Sequence, residues 1–480
     1  MAKHHGIEPP GGMSVHCKRN HQATREDRFG RMFPDLPPAY ISPLVLGAIG
    51  AKDGPMDAGS NKVRTENIAV GQVIFGQFID HDITLDASSN FGRVNTPEAT
   101  PNVRTPTLDL DCIYGSGPEP HPFLFVQSGP FAGAKLLTGA DQDADNVLVR
   151  NDLLRAPNNR AIIGDPRNDE NRIISQMQLA IIKFHNNRCD DLYQHEGLEG
   201  HELYETARRE TTWHYQWTVV NDFLVDMCGQ DVVEDILSCG RKYYCSDVPF
   251  IPIEFAVAAY RFGHSMVPME IKVQDCDQEF EFFGPVLGQG FSPLGDKRAI
   301  VDWAQLFNTS AGGDFQRAEK LDTLMAGDLL KLPFITNPED EASLATRNLL
   351  RGNSFLLPGG EKIAERMGRP ADEIELVLKK IDQLSDGAIA EGVPLWLYLL
   401  AEAEVVGRVS AAGQLVLGEG LGPVGGRIVA EVLIGLLELD PSSYLGSNRN
   451  WVPEPAYARI GDILASTHSA DLRDAVVTAE

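Results

Sequence analysis

GQFIDHDITLD, residues 76–86, sets Gln77, Asp80, His81, Asp82 and Asp86 among Phe78, Ile79, Ile83 and Leu85. The apolar spacing over 66–82 has helical period, so a helix is expected there. On it Gln77 and His81 stand four apart and share a face, and Asp80, three after Gln77, borders that face. Asp82 lies about 100° further round, near the helix end. A lone histidine in such a setting is most often a core residue flanked by capping acids. Three polar groups on one apolar face are costly to bury unless each has a partner. That favours a site without naming it.

Further clusters accompany this one. In TPTLDLDCIYG (105–115), Thr105, Thr107, Asp109 and Asp111 alternate and put hard oxygens on one side of an extended loop. Such donors suit Ca²⁺, and Asp82 is placed to complete the set; a turn with solvated acids is the plainer alternative. The twelve-residue EF-hand pattern is absent. GDPRNDEN (164–171) precedes a long amphipathic stretch and puts Arg167 and Glu170 three apart at its first turn. The bland reading is an acid meeting the helix dipole, with the arginine as its ion-pair mate. In AVAAYRFGHSMVP (256–268), His264 follows a small apolar face and precedes a helix-ending proline.

The chain has 480 residues, 43% of them hydrophobic, and a formal net charge of −26. It can bury a large core, and its surface should repel nucleic acid and anionic membranes. No run approaches a membrane span. No apolar signal region follows MAKHHGIEPPGG, so the expected location is cytoplasmic, or exported without a cleaved Sec signal. Seven scattered cysteines contain no CxxC and suggest small buried hydrophobes, not a disulfide framework. His4, His5, His16, Cys17 and His21 crowd the N-terminus, where a solvated tail is a better reading than a metal site.

Helical periodicity recurs at 66–82, 170–194, 202–227, 254–266, 341–351, 372–384, 394–407 and 426–438, separated by Pro- and Gly-bearing loops, with few alternating patterns. The expectation is a mainly α protein with long loops and little β. Residues 1–60 should wrap the body as extended chain, 25–445 form one large domain, and 446–480 form a C-terminal tail.

Taken together, the segments FGRMFPDLP (29–37), GQFIDHD (76–82), RTPTLDLDCIYG (104–115), IGDPRNDEN (163–171), FHNNR (184–188), PFIPIEFAVAAYRFGHSMV (249–267), RNLLRGNSFLLPGG (347–360) and LGPVGGRIVAEVLIGLL (421–437) resemble the animal-type (myeloperoxidase-like) haem peroxidases of the peroxidase–cyclooxygenase superfamily, and their bacterial branch in particular. The resemblance implies a single helical haem peroxidase domain. It implies reduction of H₂O₂ through ferryl intermediates, with bromide, iodide, thiocyanate or phenols as donors. It places Gln77, His81 and Arg167 on the catalytic side and His264 as the proximal haem iron ligand, oriented by Asn348. Arg261 and Arg351 are implied at the haem propionates. Haem b is the implied cofactor, with Asp80 and Glu170 as candidate ester links to its methyl groups. Asp82, Thr105, Thr107, Asp109 and Asp111 are implied to hold Ca²⁺.

Two departures matter. Asp111 stands where mammalian relatives have serine, which should strengthen cation binding. Asn171 stands where the myeloperoxidase branch has a haem-linked methionine, so efficient chloride oxidation is not expected.

Other readings compete. A fatty-acid dioxygenase of the same superfamily would carry a tyrosine three residues before the proximal histidine; here that position is Arg261, with Tyr260 one earlier. A non-catalytic calcium or adhesion module would have lost His81, Arg167 or His264, and all are present. GLGPVG (420–425) fits GxGxxG, but a dinucleotide site needs a βαβ setting; a Gly-rich helix entry packed on the core is the better reading.

Overall fold

Helices and the loops between them account for nearly all of the architecture in the computed structural model, which describes residues 26–60, 62–275, 278–337, 339–389, 391–410 and 412–468. The histidine-rich N-terminus, Cys276 and the last twelve residues of the expected tail lie outside the described residues.

The helices include α1 (Pro43–Gly50), α2 (Val70–Ile83), the single turn α3 (Asp111–Tyr114), α4 (Arg172–Glu196), α5 (Gly200–Thr218), α6 (Leu344–Ser354), α7 (Ala371–Ser385), α8 (Leu395–Val405), α9 (Pro423–Leu439) and α10 (Ile460–Ala465). Their ends follow from sequence. Asn171 caps α4 by accepting from the Ile174 amide at 3.0 Å, and Gly197 ends it with φ 71°. Ser343 caps α6 through the Thr346 amide. Pro423 opens α9. The strands are short two-stranded pairings. Apolar faces of α2, α4, α8 and α9 meet in one continuous core.

Four expectations are corrected. Residues 64–69 pair with Arg317–Glu319 as a strand, so α2 begins at Val70 and not at 66. Pro43–Gly50 is helical inside the segment expected to be extended, because a proline at the first helical position suits a helix start. Phe29–Gly30 pairs with Ile251–Pro252, and the amides of Met32 and Phe33 donate to the buried Glu254 carboxylate at 2.9 and 3.0 Å. In the C-terminal segment, α10 packs against α4, and Trp451 meets Trp213 edge-on at 5.5 Å; what is described of 446–468 is packed, not a loose tail. Residues 254–266 are not an α-helix: Glu254–Ala258 is a π turn and Ala259–Met266 a 3₁₀ turn, broken at Ala258 (φ −129°, ψ −69°).

Among the described cysteines, Cys112, Cys189 and Cys228 are buried and free as expected, whereas Cys239 and Cys245 are exposed. The GLGPVG segment enters α9 with no βαβ unit; the buried Glu402 carboxylate accepts from the Val424 and Gly425 amides and occupies the helix N-terminus. A Cβ on Gly425 would meet Leu421 at 2.8 Å.

Candidate active site

A cavity of about 540 Å³ lies where α2 meets the 259–266 turn. From α2 come Gln77, Asp80 and His81, from the two residues just before α4 Glu170 and Asn171, and from the turn Tyr260, Arg261 and His264. The lining is otherwise largely apolar, with Phe223, Phe262, Phe282 and Phe283 among it. That volume is in the range of cofactor sites.

His264 is held by Asn348 on α6, whose side-chain Nδ2 lies 2.8 Å from Nδ1. With the amide turned over, Nδ1–H donates to its oxygen and Nε2 keeps a lone pair for a metal. Burial, with help from Arg261, lowers the His264 pKa to about 3, so the ring is neutral at pH 7, as a ligand must be.

His81 is 5% exposed. Its Nδ1 meets the side-chain oxygen of Asn168 at 2.7 Å, and its Nε2 lies 3.9 Å from Glu170 Oε1. Burial, then the charge of Arg167, lowers the His81 pKa to about 4. Burial raises Glu170 to about 7, and Gln77 donates to its carboxylate. Asp80 accepts from Thr84 Oγ1 at 2.8 Å.

Two arginines are placed differently from expectation. Arg167 sits in a 3₁₀ turn, Pro166–Asp169, ahead of α4. Its ion-pair mate is Asp165, not Glu170, with Nη2 to Oδ2 at 2.8 Å. Nη2 also donates to the carbonyls of His81 and Thr84 at 3.0 and 2.6 Å, satisfying orphan carbonyls at the end of α2. Its guanidinium does not line the cavity; its Nη1 takes part in none of these bonds. Arg351 donates to Asp86 Oδ2 at 3.3 Å and to Ser89, lies over the Phe91 ring, and likewise does not line the cavity. Arg261 does line it, anchored by Nε to the Ala256 carbonyl at 2.9 Å.

Just beyond the cavity, Asp82, Asp109 and Asp111 bring carboxylate oxygens within 4.8 Å of one another. Asp82 is fully buried; its Oδ2 accepts from the Leu110 amide at 3.2 Å, and its Oδ1 has no partner among the described residues. Thr105 Oγ1 donates to Asp109 at 2.9 Å. Burial raises the pKa of all three acids, to about 7 for Asp109. An orphaned buried oxygen among mutually repelling carboxylates suits a hard divalent cation. Thr107 stands on the same loop.

Sequence reasoning missed Asn168 and Gln178. Both are fully buried, and Asn168 Nδ2 donates to Gln178 Oε1 at 2.8 Å. Asn168 lies inside the GDPRNDEN stretch, and an asparagine beside a candidate catalytic arginine was the available signal. Gln178, on the apolar face of α4, gave none beyond its polarity.

The animal haem peroxidase family model matches residues 86–371. Dual oxidase 1 of Caenorhabditis elegans is 24% identical over 290 residues, covering 57% of this chain and 19% of that protein. Human thyroid peroxidase is 24% identical over 327 residues, covering 60% of this chain and 33% of that protein. The chain thus spans about a fifth to a third of the length of these relatives. Among solved structures, peroxidase A from Dictyostelium discoideum aligns with a TM-score of 0.62 at 14% identity over 93% of this chain and 92% of that one. Fatty acid alpha-dioxygenase of Arabidopsis thaliana aligns with a TM-score of 0.60 at 17% identity over 94% and 78%. The mainly helical fold is thus shared with both activities, and the chain belongs to the animal haem peroxidase family.

Proposed function

We propose that this protein is a haem peroxidase that consumes H₂O₂ and oxidises small donors, with bromide, iodide, thiocyanate and phenols as the candidate class. The observation that carries the reading is the pair of imidazoles on one cavity, buried at His81 and half-buried at His264, each oriented through Nδ1 by an asparagine side chain. Haem, when bound, supplies the redox-active iron and takes up the two oxidising equivalents of peroxide. The chain does the rest.

His264 Nε2 would hold the iron while Asn348 fixes the ring. An amide oxygen is a weaker acceptor than a carboxylate, so this ligand donates less electron density than a His–Asp pair. His81 Nε2 takes the proton from one peroxide oxygen and returns it to the other; a neutral imidazole at pH 7 is the required starting state. Arg167 contributes a fixed positive charge beside His81 and holds the end of α2. Gln77 restrains Glu170. Arg261 would meet a propionate, whereas the commitment of Arg351 to Asp86 and Ser89 argues against the second propionate contact. Asp80 and Glu170 are placed to form esters with haem methyls, which would remove their charge from a confined site. Complete release of haem by acid–organic extraction after peroxide treatment would refute that linkage. Ca²⁺ bound by Asp82, Asp109 and Asp111, with Thr105 and Thr107 as further oxygens, would pin the end of α2 and hence His81.

A second reading rests on Tyr260. Its buried hydroxyl has no hydrogen-bond partner among the described residues, and the residue lines the cavity. In a 3₁₀ turn residues three apart eclipse, so Arg261, not Tyr260, stands over His264, yet both reach the same space. A tyrosine there could serve fatty-acid oxygenation. Steady-state kinetics over halides, thiocyanate and phenols, with oxygen uptake on linoleate as the other arm, separate the readings. Turnover of small donors without oxygen uptake supports the peroxidase; oxygen uptake lost in Tyr260→Phe supports the dioxygenase.

A further inference from the structure

The hydrogen bond from His81 does not stop at Asn168. Asn168 Nδ2 donates to Gln178 Oε1 at 2.8 Å, and Gln178 Nε2 donates to the backbone carbonyl of Cys112 at 3.1 Å. His81, Asn168, Gln178 and Cys112 are all buried, so water does not compete for these links. The far end dictates the sense of the whole chain, because a backbone carbonyl can only accept. Gln178 must therefore present its NH₂ to Cys112 and its oxygen to Asn168. Asn168 must then present its NH₂ to Gln178 and its oxygen to His81. Reversing either amide would set two acceptors, or two donors, against each other in a dry interior.

We propose that Asn168 and Gln178 are positioning residues that lock His81 as the Nδ1–H tautomer, through a directional relay anchored on the Cys112 carbonyl. Nε2 is thereby left unprotonated on the side of Glu170, where its nearest carboxylate oxygen lies 3.9 Å away. The inference rests on His81 as the proton acceptor of the proposed function.

Local sequence brings the relay together. Cys112 belongs to α3, the turn that follows the candidate cation loop, so its carbonyl is one of the last in a helix too short to use it internally. Gly164 lets the GDPRN segment approach that turn: a Cβ there would lie 2.5 Å from the Cys112 carbonyl oxygen and 2.6 Å from that of Asp111. The residues around the α3 turn are thus joined to the end of α2 by two routes, the Asp82–Leu110 bond and this amide relay.

The test uses isotope-labelled histidine in the holoprotein, held in its diamagnetic ferrous carbonmonoxide form, with the His81 signal assigned by its loss in His81→Ala. Wild type should show one tautomer, Nδ1–H. Gln178→Met keeps the volume but removes both ends of the link; Asn168→Leu removes the acceptor. Both should show mixed tautomers or the Nε2–H form. At unchanged haem content, their rate of reaction with peroxide should drop about tenfold or more. Asn168→Asp keeps an acceptor on Nδ1 and should restore the Nδ1–H signal even if Gln178 is disturbed. A wild-type signal from Nε2–H, or an undisturbed Nδ1–H signal and peroxide rate within twofold in both Gln178→Met and Asn168→Leu, would overturn the relay. If tautomers shift while the peroxide rate holds, the relay stands and the role of His81 in the proposed function falls.

Discussion

Asn348 and His264 come from α6 and the 259–266 turn, 84 residues apart in sequence, and meet at 2.8 Å through the amide and Nδ1. The contact joins the residue proposed to hold iron to one that tunes it. Replacing the amide by a carboxylate in Asn348→Asp should make the imidazole more anionic and stabilise the ferric state. Spectroelectrochemistry should show a lower midpoint potential than wild type; an unchanged or higher value would remove Asn348 from this role.

His81→Ala should keep haem and the fold yet slow peroxide consumption by about 10²–10⁴-fold, as loss of a general base implies. Stopped-flow mixing with H₂O₂ reads this directly. A variant that reacts at wild-type speed would contradict the proton role.

The orphaned Asp82 Oδ1 beside Asp109 and Asp111 predicts a structural cation. Treatment with EDTA should lower the thermal midpoint, and added Ca²⁺ should restore it. In Asp82→Asn the midpoint should start lower and respond to neither. A wild-type midpoint indifferent to EDTA and Ca²⁺ alike would contradict the site.

Asp226 accepts from Gln72 at 3.2 Å, and burial next to Asp222 raises its pKa to about 7. A carboxyl whose folded pKa lies above its unfolded value stabilises the fold fully below the unfolded pKa and loses that stabilisation as pH rises through the folded one. The thermal midpoint should therefore fall between pH 5 and pH 8. Asp226→Asn, uncharged throughout, should flatten that fall and melt higher than wild type at pH 8. Parallel curves for the two proteins would show that Asp226 does not titrate as described.

Much of this was legible in the sequence, and the misses have physical causes. The long helices follow the apolar period, and α2 carries Gln77, Asp80 and His81 to one cavity as the spacing of four and three implies. Its start lies later than the apolar pattern predicts because Arg64–Ala69 is claimed by a partner strand at Arg317–Glu319; pairing across the chain overrides local pattern. The 254–266 segment has helical composition, yet its break at Ala258 places Tyr260, Arg261 and His264 on a tighter turn than periodicity suggests. The separation of Arg167 from Glu170 suggests an ion pair, but its partners Asp165, His81 and Thr84 are set by how the 3₁₀ turn docks on the end of α2. Asn168 and Gln178 act through bonds spanning 87 and 66 residues, which no local pattern encodes.

The central claim is that one haem sits in the cavity on His264, and a spectroscopic titration of the purified protein with haem tests it most directly. Wild type should bind one equivalent saturably with the Soret band of a histidine-ligated haem, and His264→Ala should lose that band or that affinity. Identical binding curves and spectra for the two proteins, or no saturable binding by wild type, would contradict it.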